Sequence, residues 1–243
     1  MNQVFRFIRN QLTLVRKWRQ NANYTSIKHV PVTGSDEDHA KEFDALCSSP
    51  CEEWSSMGST RTKLSSEKEI VVHLEKKKHW KEGFDMLRAR TTLPFPIDVV
   101  WECVGDLRNR PQLDPMTKSL QYISPTGVKH PVIQVVSNPF MVVASREFIL
   151  HTRTIHHGRN SHSLILHSQD PPFGVSVPVS NAVRGRVLLS GFRVERKSNS
   201  FTDVVYLCST DPQGWIPKDI VNLGVSKSAE ILVHLARHME TWL

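Results

Sequence analysis

Cysteine is scarce: Cys47, Cys51, Cys103 and Cys208 are the four in 243 residues. That is too few for a disulfide-built scaffold, and the close pair Cys47/Cys51 has no second pair or His-x₃₋₅-His to complete a zinc set. They read as reduced structural thiols in a reducing compartment. No stretch reaches the roughly 18 uncharged apolar residues that a membrane-crossing helix needs, because charge or proline interrupts every run. The Gly-x-Ser-x-Gly, His-Glu-x-x-His, P-loop and dinucleotide-binding patterns are missing, which removes the commonest enzyme signatures. With 39% hydrophobic and 23% charged residues, 11 Gly and 14 Pro, the composition also excludes collagen, a coiled coil and wholesale disorder. What remains is a soluble folded protein, one large domain or a domain with an arm, long enough to bury its own core.

Acidic residues are absent from positions 1–35, which carry Arg6, Arg9, Arg16, Lys17, Arg19 and Lys28. These six account for nearly all of the net charge of +7 and leave the body almost neutral, so no global field for nucleic acid exists. Within the arm Val4, Ile8, Leu12, Val15 and Trp18 recur at helical spacing among the basic residues, which predicts a basic amphipathic helix over 1–28. Three roles stay open: a helix packed on the domain, contact with an anionic membrane surface, and a mitochondrial presequence. Residues 29–64, rich in Pro, Gly, Ser, Thr and acids, read mostly as linker and approach to the domain, with one weak helical piece around Ala40–Leu46.

From 65 to 243 the pattern is that of an α+β domain. Ile70, Val72 and Leu74 alternate as a half-buried strand, and another strand is expected over Phe84–Thr91. Pro94-Phe-Pro96-Ile-Asp98 then stops the strand and starts a helix whose apolar face is Val100, Val104 and Leu107. Six strands follow, over 119–124, 131–137, 145–154, 162–168, 183–195 and 201–209, and their short connections predict an antiparallel meander. Gly185 and Gly191 mark places for it to bend. Pro217 suits the first turn of a closing helix over 217–242 with Leu232, Leu235, Ala236 and Met239 on one face. At about 25 residues it would be roughly 37 Å long, enough to cross a sheet. The sum is a helix-grip layout, a curved antiparallel sheet closed over an internal cavity by a long C-terminal helix.

Among the 12 histidines, His151, His156, His157, His162 and His167 cluster in sequence, but His162 and His167 fall on opposite strand faces, so no metal site is expected. Arg146 and Glu147 read as neighbouring strand positions, one facing the cavity and one the solvent.

Four ordered segments resemble the START family, the lipid-transfer domains related to the steroidogenic acute regulatory protein. Asp211-Pro-Gln-Gly-Trp-Ile-Pro-Lys-Asp-Ile-Val-Asn222 is similar to the start of the family's last helix, and Val183-Arg-Gly185 with Ser190-Gly191 to the strand before it. Ser145-Arg-Glu-Phe148 resembles its Arg-Asp-Phe/Tyr strand, and Asp106-Leu-Arg-Asn-Arg-Pro-Gln-Leu-Asp114 its Asp-x₃-Arg-x₂-Trp-Asp loop, with Leu113 for the tryptophan. The resemblance implies one bound lipid, carried between membranes without chemical change. The family's sterol carriers place a second arginine six residues after the first; here that position is Thr152, and Arg153 falls on the other strand face. Arg110 instead matches the loop arginine of the phosphatidylcholine-transfer branch, whose fork suits a phosphate, so phospholipid is favoured over sterol. The expected ligand contacts are Arg110, Arg146, Phe148, Leu150 and Thr152; the lid residues Ile220, Leu232, Leu235 and Met239; and the membrane arm Arg6, Arg9, Arg16, Lys17, Trp18 and Arg19. The reading includes no cofactor, metal or nucleic acid and takes the protein as a monomer, cytoplasmic and peripheral at membranes. The rival readings are a sterol carrier, a lipid-responsive interaction module, and a helix-grip cyclase or hydrolase using Arg146, Glu147 or His151.

Overall fold

The alternation at Ile70, Val72 and Leu74 builds β2 (Glu69–Lys78), which pairs with β1 (Ser55–Lys63) on one side and β3 (Asp85–Leu93) on the other. The computed structural model describes residues 35–78, 84–124, 128–170, 176–214, 216 and 218–242, all within the larger of two units, Pro31–Leu243. The arm residues Arg6, Arg9, Arg16, Lys17, Trp18 and Arg19 lie outside the described residues, as do Trp215 and Pro217.

Between Ser35 and β1 lies α1 (Asp36–Ser48). After β3, Pro96 leads into α2 (Ile97–Gly105), whose buried face is Ile97, Val100, Cys103 and Val104, with Asp98 in the first turn where the helix dipole favours an acid. A 3₁₀ turn and the four-residue α3 (Arg110–Leu113) follow. Next come β4 (Thr117–Tyr122), β5 (Val132–Ser137), β6 (Arg146–His156), β7 (Ser161–Ser168), β8 (Val183–Arg184), β9 (Arg186–Arg196) and β10 (Thr202–Asp211). The chain closes with α4 (Lys218–Ser228) and α5 (Ile231–Glu240).

The sheet runs β1-β2-β3-β10-β9-β7-β6-β5-β4, antiparallel throughout, with β8 alone pairing parallel to β6. The meander is as expected, and β3 joins it by lying against the last strand, Tyr206 opposite Ala89. Successive residues face opposite sides. The inner faces of the strands, α2 and α5 enclose the main core, which includes Leu87, Leu150, Leu166, Phe192, Leu232, Leu235 and Met239. On the outer face α1 covers a smaller cluster of Phe43, Cys47, Trp54, Met86, Ile165, Leu189 and Leu207. At Gly191 on β9 a Cβ would stand 2.1 Å from the Leu164 carbonyl oxygen and 2.8 Å from the Phe43 ring, so only glycine lets β7 and α1 approach there.

Three expectations change. Residues 36–63, read mostly as linker, hold α1 and β1. Ser35 and Asp38 form a capping box, and Arg88 donates to the carbonyls of Leu46 and Ser49 at the other end, so long-range contacts complete a helix whose own apolar pattern is weak. β1 is exposed almost throughout and exists as a strand through its pairing with β2. The single closing helix is two helices, joined by i→i+3 bonds from Ala229 to Ser226 and Glu230 to Lys227. Gly224, Ser226 and Ser228 lower helix propensity just before the break, and the Ser228 hydroxyl donates back to the Gly224 carbonyl. The expected strand 183–195 breaks at Gly185, which hands the chain from β6 to the β7–β10 pairing.

Candidate functional site

Between the inner face of the sheet and α4 lies a cavity of about 160 Å³, its wall largely aliphatic and aromatic: Leu107, Leu120, Ile133, Phe148, Leu150 and Val187 are representative. Phe140, Val143 and Ala144, from the loop joining β5 to β6, meet Ile216, Ile220, Val221 and Gly224 to close one side.

Into this lining α3 projects Arg110. One helical turn separates it from Asp114, so the two side chains stack at i,i+4, and Arg110 Nε lies 3.1 Å from Asp114 Oδ2. Asp114 is itself fixed by the Met116 amide at 2.9 Å and the Thr117 hydroxyl at 3.0 Å. Arg110 Nη2 donates to the Tyr206 hydroxyl at 3.2 Å, and the guanidinium stands 5.7 Å and 5.6 Å from the Phe192 and Tyr206 ring centroids. Burial works against the Arg110 charge, but the Asp114 carboxylate and the hydrogen bond to Tyr206 outweigh it and the group stays protonated. Burial also pushes the Tyr206 hydroxyl up, so it stays neutral. Arg110 Nη1 is buried and has no hydrogen-bond partner. An unspent donor in an apolar wall is costly unless a ligand oxygen takes it.

The other expected contacts divide. Phe148 and Leu150 line the cavity on β6. Arg146 lines it too, but its donors go to the carbonyls of Ala144, Pro212 and Gln213, so it ties β6 to the turn before α4. Thr152 lies outside the lining and donates to the Pro131 carbonyl. Among the lid residues, Ile220 faces the cavity, whereas Leu232, Leu235 and Met239 are fully buried in the main core and anchor α5. The phosphate fork is half used, because Asp114 and Tyr206 hold Nε and Nη2 and leave only Nη1. Glu147, expected at the solvent, is buried on the outer face between Gln134 and Arg184. There burial pushes its carboxyl up, and the hydrogen bonds of Ser180, Arg184 and Gln134 bring it below the usual range. Arg146 on the inner face and Glu147 and His151 on the outer face therefore share no site. Arg153 lies outside as well, paired with Glu37 of α1 at 2.6 Å.

Tyr206, Phe140 and Val221 belong to the site and were not picked out from the sequence. Tyr206 has the inner-face parity of its strand, but parity alone does not separate a cavity wall from a packed core.

The sequence model of the START domain matches residues 36–240. No curated protein matches the chain in sequence. Among solved structures, human StAR-related lipid transfer protein 5 is similar with a TM-score of 0.72 at 15% identity, covering 85% of this chain and 95% of its own. Human STARD10 gives 0.67 at 16% identity, over 90% and 84%. The human StarD13 (DLC2) lipid transfer and protein localization domain gives 0.60 at 18%, over 88% and 98%. At these identities the likeness is one of fold.

Proposed function

Since the chain belongs to the START domain family, a family of lipid-transfer and lipid-binding domains, we propose that it holds one phospholipid in the cavity beneath α4 and carries it between membranes without chemical change. The observation that carries this is the unpartnered Nη1 of Arg110, a cationic donor fixed in a largely apolar wall. A phosphate oxygen at Nη1 would complete its hydrogen bonding, and acyl chains packed on the apolar wall would supply most of the affinity. Because Asp114 already balances Arg110, a head group without net charge leaves that pair intact, which favours a zwitterionic over an anionic phospholipid at this arginine.

A cavity of about 160 Å³ is smaller than the roughly 300–1,000 Å³ of typical small-molecule sites, so loading requires the wall to move. The mobile part in this reading is α4, which lines the cavity, while α5 stays in the core. Met141 and Val142, in the same loop as Phe140, expose apolar side chains, as do Val179 and Val183 near the β6–β8 pairing. We assign this end of the sheet to the bilayer, and the basic arm over 1–28 to attraction toward anionic lipids.

The test is native mass spectrometry with lipid extraction on full-length protein purified from cells without detergent. One phospholipid per chain is expected, and Arg110→Lys, which keeps a cation beside Asp114 but removes Nη1, should lower retention about tenfold or more. A sterol, or a phospholipid held equally by the variant, overturns the assignment.

A further inference from the structure

On the outer face of the sheet, away from the cavity, three imidazoles lie in a row across the joint between α1 and the strands. His39 of α1 stacks on His167 of β7 with centroids 4.1 Å apart and planes 15° from parallel, and His151 of β6 faces the same His167 at 5.9 Å and 18°. Facing rings do not converge their nitrogens on one point, and among the described residues no group of three or more ligands fits a metal ion. The rings instead join two elements. His167 Nε2 donates to Asp36 Oδ1 at 3.1 Å, and His39 Nδ1 donates to the Ser35 carbonyl at 3.0 Å. His167 Nδ1 and His151 Nε2 are buried without a partner, as is Nδ1 of His130 in the segment before β5. The nitrogen of His167 that must take a second proton is therefore the one with no acceptor.

We infer that α1 is an acid-released clasp: protonation of His167, within its stack with His39 and His151, frees the N-terminal half of α1 from the sheet while its C-terminal end stays pinned.

The groups acting on His167 are His39 and Asp36 from α1 and His151 from β6; His130, with Lys129 before it and Arg153 of β6 nearby, stands around the same Asp36, and β9 adds the apolar Leu189 to this outer face. Arg153 and Glu37 cancel as a pair, and Asp36 alone favours a charged His167. Burial first, then His39, hold the His167 ring down from 6.5 to about 4. A released His167 titrates near its ordinary value, so below pH 6.5 the open form takes up the proton first, and closure weakens progressively between 6.5 and about 4. That difference shifts the closed-to-open ratio about 20-fold toward open from pH 7 to pH 5. The other end of α1 is held by contacts that do not involve His167: Asp44 lies 3.6 Å from His157 Nε2 and 3.7 Å from Arg193 Nη1, and Arg88 holds the Leu46 and Ser49 carbonyls. Acid thus loosens one end while the other stays pinned, which makes a hinge.

Hydrogen exchange by mass spectrometry on the full chain at pH 7, 6 and 5, corrected for intrinsic rates, tests this. Protection of residues 36–43 is expected to fall about 20-fold from pH 7 to pH 5, with residues 231–240 unchanged. His167→Gln, a neutral donor toward Asp36, should flatten that fall. Loss of protection in both segments together, no loss in either, or an unaltered fall in a folded His167→Gln protein overturns the clasp. Should the variant not fold, the imidazole titration of wild-type His167 by NMR decides: a midpoint well below 6.5 supports the clasp and one near 6.5 removes its basis.

Discussion

Arg110 and Arg88 are both buried arginines, and their surroundings separate a binding group from a structural one. Arg88 donates to Glu75 at 2.7 Å and to the Leu46 and Ser49 carbonyls and lies over the Trp54 ring at 4.3 Å; its Nη2 is buried without a partner, as Arg110 Nη1 is, but it stands outside the cavity lining, at the end of α1. Arg88→Leu should therefore cost about 3 kcal/mol in denaturant unfolding, since it leaves the end of α1 uncapped and weakens the pairing of Glu75. A loss under about 1 kcal/mol would contradict that role. Arg110 keeps Nη1 unspent at the cavity wall, and its balance by Asp114 makes the second residue prediction. Asp114→Asn preserves shape and removes the counter-charge of Arg110, so in competition between zwitterionic and anionic liposomes the extracted lipid should shift toward the anionic one. No shift would mean that Asp114 positions Arg110 without setting selectivity. Sequence spacing alone lets Arg110 pair with Asp106 or with Asp114, each four residues away. The fold resolves this by giving Asp106 to Arg108 at 2.7 Å.

At the scale of elements, the break at Ala229–Glu230 divides the closing helix into a part that can move and a part that cannot. α4 lines the cavity; α5 buries Ile231, Leu232, Leu235, Ala236 and Met239 completely. Periodicity registers both halves as apolar on one side, and so could not assign Leu232, Leu235 and Met239 to the core and Ile220 to the wall. A Cβ at Gly224 would lie 3.7 Å from the Phe140 ring, which places α4 against the β5–β6 loop. Phe140→Cys with Gly224→Cys, joined by a short bifunctional thiol reagent, should abolish lipid exchange between liposomes, and a cleavable reagent should restore it on reduction. The buried Cys47, Cys103 and Cys208 and the exposed Cys51 require the same treatment of the unsubstituted protein as control. Exchange that persists in the cross-linked protein would show that α4 is not the gate.

For the whole molecule, the pH response should come in two stages. Burial pushes the Glu75 carboxyl up, but hydrogen bonds from Arg90 and Arg88 outweigh it, and Glu147 is likewise held below the usual range. Carboxyls depressed in the fold stabilise it above their unfolded value of 4.5 and lose that contribution as pH falls below it. Global unfolding followed by circular dichroism should thus set in below about pH 4.5, after the release of α1. A single transition near pH 6 would contradict both assignments.

The sequence by itself determined the class of fold and the meander of β4, β5, β6, β7, β9 and β10. These follow from period-two and helical spacing, proline and glycine punctuation and short motifs, all of which act between near neighbours. Only the tertiary structure decided that β3 lies beside β10, that residues 36–63 are folded, that Thr152 stands outside the cavity, and that His39 meets His167. Each depends on a partner far along the chain: Arg88 completes α1, β2 holds β1 in a strand, and the Pro131 carbonyl takes the Thr152 hydroxyl. Long-range contacts such as these outweigh local preference because burial and backbone pairing stabilise more than intrinsic propensity does.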